Sequence, residues 1–153
     1  MAKILTICQP YAHLIAVTRE KRVENRTWST PYRGLIYIHA GKNREWLNLD
    51  PTGKFDASYE IPLDRMAFGA VVGVGKLIDC VHIDRVRQAD VIAKYPWLPD
   101  HAHTNGPWCW IFDENVSAIG PWPWRGNRGL LDIDEEALGR VANQQLGVEE
   151  PKK

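Results

Sequence analysis

Alternation of apolar and polar positions predicts a first strand over residues 3–7, with Ile4 and Thr6 opposite Leu5 and Ile7. Gln9-Pro10 then opens a helix, because proline at the first helical position has no N–H to leave unpaired. Tyr11, Leu14 and Ile15 follow at helical spacing. Residues 22–28 read as a strand with unlike faces: Arg22, Glu24, Arg26 and Trp28 on one, Val23, Asn25 and Thr27 on the other. Lys21 has the opposite parity and joins the charged face only if the chain is still unwinding there. Residues 31–34 predict a turn and residues 35–40 a strand. Residues 42–49 predict a short helix, and 50–65, polar with prolines and Gly53, an insertion or loop. Residues 67–81 carry apolar side chains on both faces and predict the most buried strand, with Gly73 and Gly75 marking a bend or a close backbone approach.

Ile83, Val86 and Ala93 stand at near-helical spacing within 82–95, and 96–107 reads as a loop. The last strands are 108–112 and 130–133, joined by a connection that includes the Pro, Trp and Gly-rich residues 120–129. Asp134 is placed to cap a final helix, with Glu135 and Glu136 in its first turn, an apolar stripe of Leu138, Val141 and Leu146, and Gly147 as its stop. About six short strands with three or four interspersed helices make an α+β domain. Strands this short most easily close into a small β-barrel with helices outside. The expected organisation is one domain over 1–147 and a frayed acidic tail over 148–153. No internal repeat is present.

Charge adds a restriction. The 153 residues carry 19 basic and 19 acidic side chains. Long-range, non-specific grip on duplex DNA, which comes from counterion displacement by an excess of cations, is therefore disfavoured. The balance is uneven, however: residues 1–49 hold eight basic and three acidic groups, the remainder eleven and sixteen. Three cysteines with no paired spacing, Cys8, Cys80 and Cys109, predict reduced, buried thiols in a cytoplasmic protein. The N-terminus lacks the apolar stretch of a signal peptide, and no apolar run approaches the roughly 20 residues of a membrane span.

Of the candidate chemistry, Lys21-x-x-Glu24-x-Arg26-x-Trp28 is the most informative. Cations oriented by a carboxylate can hold a phosphate or a base edge, and the same pattern also suits an exposed ion-pair ladder. Seven tryptophans, five of them within residues 97–124, can pack a core or stack on nucleobases. His101, His103 and Cys109 fit no zinc spacing, so no metal is expected, and no glycine-rich phosphate loop or other cofactor motif is present.

These residues also carry a resemblance. Ile7-Cys8-Gln9-Pro10-Tyr11-Ala12, residues 21–28, Tyr32-Arg33-Gly34, Ile38-His39-Ala40-Gly41, Gly69-Ala70-Val71-Val72-Gly73, Gly106-Pro107-Trp108-Cys109-Trp110 and Pro123-Trp124-Arg125-Gly126 resemble, in order, the ASCH domain. The likeness spans about residues 4–133. It implies a PUA-like β-barrel and nucleic-acid binding along a cleft that carries the signature G-x-K-x-x-E-x-R. Carried over, the lysine is Lys21, the glutamate Glu24 and the arginine Arg26; the signature glycine is missing, with Thr18-Arg19-Glu20 in its place. On this reading Lys21, Arg26 and Arg33 contact phosphate or base, Glu24 holds the cations, and Trp28 with Trp108 or Trp124 stacks on a base. Gln9 and His39 line the cleft. Single-stranded RNA or DNA, or a modified nucleotide, fits better than duplex. Two alternatives stand beside it. One is an enzyme on the same cleft, an amidohydrolase of modified nucleosides or a weak ribonuclease, using Lys21 and Glu24. A bacterial branch of the family that hydrolyses N4-acylated cytidines has a threonine where Glu24 stands, and a carboxylate there favours the lysine's ammonium form, against its use as a base. The other is a protein-interaction module using an exposed Trp-rich loop, 121–124.

Overall fold

The structure, a computed structural model, describes residues 2–145. Leu146 of the expected apolar stripe, the stop at Gly147 and the tail lie outside the described residues. The elements are β1 (Lys3–Ile7), α1 (Tyr11–Ala16), β2 (Val23–Arg26), β3 (Gly34–Ala40), β4 (Phe55–Asp56), β5 (Ile61–Pro62), β6 (Ala70–His82), α2 (Ala89–Lys94), β7 (Trp108–Phe112), β8 (Ser117–Pro123), β9 (Leu130–Asp132) and α3 (Glu135–Gln145). The class is α+β, with a mixed seven-stranded sheet in the order β2-β7-β6-β3-β1-β9 and β8 paired to β6. β1 runs parallel to β3, and the other pairings are antiparallel.

The expected closed barrel does not form. The sheet is an open path whose end strands, β2 and β9, are four and three residues long and pair with one neighbour each. β6 organises it. β3 pairs along the first part of β6, from Ala70 to Leu77, while β8 and β7 in turn take its early and late residues on the other edge. As its two-faced apolar pattern requires, β6 has buried residues on both faces, among them Ala70, Val71, Val72 and Leu77. Gly73 is where α1 lies on it: a Cβ there would stand 2.6 Å from the Ala16 Cβ. The core between α1 and the sheet joins Leu5, Ile7, Ile15, Ile36, Ile38, Trp110 and Phe112, and separate clusters lie under α2 and α3. Asp134 caps α3 as predicted, accepting from the Ala137 amide at 3.0 Å.

Other expectations change. Residues 42–49 form no helix; Leu47 instead packs in a satellite cluster with Leu14, Ile61 and Met66. The expected loop 50–65 contains the β4–β5 hairpin. Part of the connection 120–129 is strand: Pro121 and Pro123 lie in β8, which pairs with β6 alone, and an edge strand tolerates proline. The Trp-rich segment is accordingly no exposed loop, since Trp122 and Trp124 are half-buried against Ile4, Val71 and Leu138. Of the thiols only Cys109 is buried; Cys8 and Cys80 are half-buried. Among the described residues no helix is long and apolar enough to cross a membrane.

Candidate functional site

β2 stands at the sheet edge and pairs with β7 in the register Glu24↔Trp110 and Arg26↔Trp108. Val23 turns into the core under α2, which sends Glu24 to the other face. Lys21 lies two residues before β2, its amide donating to the Leu14 carbonyl at the end of α1 (3.2 Å). Freed from strand parity, its side chain swings to Glu24. Its Nζ donates to the Val23 carbonyl (2.5 Å) and stands 3.5 Å from Glu24 Oε1. The other carboxylate oxygen accepts from Arg26 Nη2 at 2.9 Å, and the same Nη2 donates to the Thr6 carbonyl at 2.7 Å. Side-chain exposure is 3% for Lys21, 10% for Glu24 and 23% for Arg26, so the row is a buried charge network opening at its arginine end, not a solvated ladder. Arg19 takes a φ of 60°, the left-handed turn that a glycine just ahead of the lysine would accommodate without strain.

This row forms part of a cleft of about 390 Å³. Tyr11, Trp46, Tyr59 and His103 supply rings, and Thr6, Cys8 and Asn25 line it as well. Tyr11 heads α1, Trp46 and Tyr59 come from the β3–β6 connection, and His103 from the loop before β7. The Tyr11 centroid is 6.4 Å from those of Trp46 and His103, and Tyr59 lies 5.9 Å from His103. Among the described residues Trp46 is the most exposed of the large hydrophobic side chains, at 57%. Asn25 fastens the His103 loop: its Nδ2 donates to the His103 carbonyl (2.8 Å) and its Oδ1 accepts from the Asn105 and Gly106 amides (3.0 and 2.7 Å).

Several predicted site residues lie elsewhere. Gln9 is buried and its amide is used structurally, donating to the Ala67 carbonyl (2.8 Å) and accepting from the His13 amide (2.9 Å). His39 is buried between the Thr6 hydroxyl (3.1 Å) and the Trp124 carbonyl (2.7 Å), and with Trp124 lines a different cavity. Arg33 pairs with Asp79 at 3.6 Å away from the cleft. Trp28 stands edge-on to Trp110 (4.8 Å) and Trp108 edge-on to His82 (5.0 Å); neither lines the cleft. Arg22 leaves the charged face to stack on Trp97, 4.1 Å from the ring centroid. The sequence reading missed Trp46, Tyr11, Tyr59 and His103. Trp46 was discoverable as a tryptophan in a polar stretch, and the helix expected there obscured it.

Burial dominates the electrostatics. It lowers the proton affinity of Lys21 below the ordinary lysine value; Glu24 favours the ammonium form, as its charge predicts, without cancelling the effect of burial. His103 is pushed down to about 4 by burial, then by Lys21 and His101. His101, His13 and His39 are also lowered, burial being the first cause in each. His101 Nε2 accepts the Arg22 amide at 3.1 Å, which only a deprotonated ring nitrogen can do. Between the folded value and the unfolded one near 6.5, the unfolded chain binds more protons, so stability is full at neutral pH and falls as pH drops through that window. Urea titrations at pH 7 and 4.5 are expected to show this loss, and His103→Phe to reduce it. Equal stability of the wild-type protein at both values would contradict it. Among the described residues no three His, Cys, Asp or Glu side chains converge as a metal site needs.

Comparison with known proteins agrees with the resemblance. The human Activating signal cointegrator 1 is 26% identical over 140 residues, covering 86% of this chain and 22% of that protein, so the chain spans about a fifth of its relative's length. Two crystal structures of ASCH from Zymomonas mobilis, one of a point mutant, align over 95% of this chain. They do so at 14% identity, with TM-scores of 0.49 and 0.48 over 93% and 96% of their own chains. The sequence model of the ASCH domain matches residues 5–116, well over half of the sequence, and the chain belongs to the ASCH domain family.

Proposed function

We propose that the cleft binds one base of a single-stranded RNA or DNA, or of a modified nucleotide. The observation that carries this reading is the convergence of the Lys21–Glu24–Arg26 row and the exposed Trp46 ring on one opening. A nucleobase needs a flat apolar face and hydrogen-bonding partners at its edge. Trp46, with Tyr11 and Tyr59, offers the first. Arg26, as donor, and Glu24, as acceptor, offer the second. The volume lies in the range of small-ligand pockets, about 300–1,000 Å³, and suits a splayed base rather than a duplex. Family membership points the same way.

Trp46→Ala is the cleanest test, because the side chain is exposed. Stability is expected to stay within about 0.5 kcal/mol, while binding of a labelled single strand weakens by about 1–3 kcal/mol, the worth of one base–aromatic stack. Anisotropy titrations check the second and thermal melts the first. Undiminished binding in both Trp46→Ala and Arg26→Ala overturns the reading.

Turnover on the same cleft is a second reading: Lys21 and Glu24 line it 3.5 Å apart, and burial lowers the proton affinity of Lys21, the direction a general base requires. Incubation with acylated cytidines and with labelled RNA separates the two. Product above a Lys21→Ala control would move the assignment to a hydrolase.

A further inference from the structure

We propose that the cavity across Thr6 from the cleft is a phosphate subsite for the neighbouring nucleotide, making the ligand a single-stranded oligonucleotide rather than a free nucleoside. This rests on the nucleic-acid reading above and extends it. The cavity is about 730 Å³ and is lined by Thr6, His39, Lys42, Trp124, Arg125 and Gly126, among others. No carboxylate lines it. Lys42 and Arg125 are exposed, and among the described residues neither has an ion-pair partner. Elsewhere in the first third Lys3 is paired with Asp132 at 2.6 Å and Arg33 with Asp79 at 3.6 Å, while Arg22 and Arg44 stack on Trp97 and Phe68. Two unpaired cations lining one concave surface without an anion favour a bound anion, and a guanidinium and an ammonium are both donors that suit a phosphodiester.

The geometry links this cavity to the cleft through one residue. The Thr6 carbonyl accepts from Arg26 on the cleft side (2.7 Å), and its hydroxyl meets His39 Nδ1 on the other (3.1 Å). Thr6 is the one residue that lines both. Gly126 keeps the partition low, since a Cβ there would stand 2.7 Å from His39 Cε1 and 3.0 Å from the Thr6 hydroxyl. Lys42 is held at the rim by lying across Gly69, where a Cβ would stand 2.7 Å from its Cε. A strand that places a base in the cleft and crosses Thr6 enters the cavity that Lys42 and Arg125 line.

The test is anisotropy of a labelled single-stranded RNA of about ten nucleotides, a length within the known range of single-strand sites, titrated across salt. The proteins compared are wild type, Lys42→Ala/Arg125→Ala, Trp46→Ala and Arg26→Ala. Each phosphate contact contributes about 0.7 to the slope of log affinity on log salt. The double variant is therefore expected to lose about 1.4 of slope, which removes about sevenfold of the affinity fall between about 50 and 200 mM salt. Competition by free nucleosides should be the same for the double variant as for wild type, and an oligonucleotide with uncharged methylphosphonate linkages should bind both alike. An unchanged salt slope in the double variant, with Trp46→Ala still weakened, overturns the subsite and leaves the cleft reading standing. Unchanged binding in Trp46→Ala and Arg26→Ala removes the cleft reading and this inference with it.

Discussion

Replacing Glu24 by alanine is expected to remove about 3–5 kcal/mol of stability, the usual cost of taking one partner from a buried ion pair. The magnitude follows from what is left behind. Glu24 stands between two cations, 3.5 Å from Lys21 Nζ and 2.9 Å from Arg26 Nη2. With the carboxylate gone, Lys21 remains buried with the Val23 carbonyl as its hydrogen-bond acceptor. An ammonium without a counter-charge resolves this by losing its proton, and burial already pushes Lys21 in that direction. A lysine whose folded value lies below its unfolded one, near 10.4, destabilises the fold most at low pH and progressively less as pH rises towards that value. The deficit of Glu24→Ala should therefore shrink between neutral and alkaline pH. A Lys21→Met/Glu24→Leu variant should recover much of the stability, because the buried ammonium is gone and Arg26, at 23% side-chain exposure, keeps the Thr6 carbonyl and solvent. Urea unfolding of the three proteins across pH measures all of this. A loss below about 1 kcal/mol for Glu24→Ala would mean that the pair behaves as a solvated surface contact.

That network shows where a sequence can be read and where it cannot. The alternation of Lys3 to Ile7, the two-sided apolar run ending at Val81 and the cap at Asp134 are local signals, and each gave the right element. The parity of β2 also gave a usable conditional: Lys21 would join Glu24 only if the strand had not begun there, and β2 begins at Val23. What failed depended on contacts remote in sequence. Gln9 was read as lining the cleft, but its partner is Ala67, 58 residues away. His39 is held by Trp124, 85 residues on. Residues 42–49 suggest a short helix in isolation, but Leu47 packs in a satellite cluster beside α1 instead. Prolines in β8 looked like breakers because nothing local reveals that the strand lies on an edge. Closure into a barrel is a still longer-range property, set by whether the first and last strands of the path meet.

The cleft also depends on a residue that never touches it. Trp110→Ala is expected to cost about 3–5 kcal/mol, the range for truncating a buried large aromatic side chain. Trp110 is fully buried in the main core and lies opposite Glu24 in the β2–β7 register. Its indole N–H donates to the Trp28 carbonyl at 3.0 Å, and its ring meets the Trp28 ring edge to face at 4.8 Å. It therefore latches the chain just beyond β2, the edge strand that carries Glu24 and Arg26. Truncation opens a cavity behind the strand and releases that latch together. Trp110→Phe retains most of the packing and loses the hydrogen bond, so its cost is expected near 1–2 kcal/mol, a bond's worth plus a small void. Binding of a single strand should weaken in Trp110→Ala and remain near wild type in Trp110→Phe, since the phenylalanine still backs β2. An unchanged m-value in urea unfolding shows that the variants change stability and not the surface exposed on unfolding. Equal losses for alanine and phenylalanine would place the contribution in the indole N–H rather than in the ring.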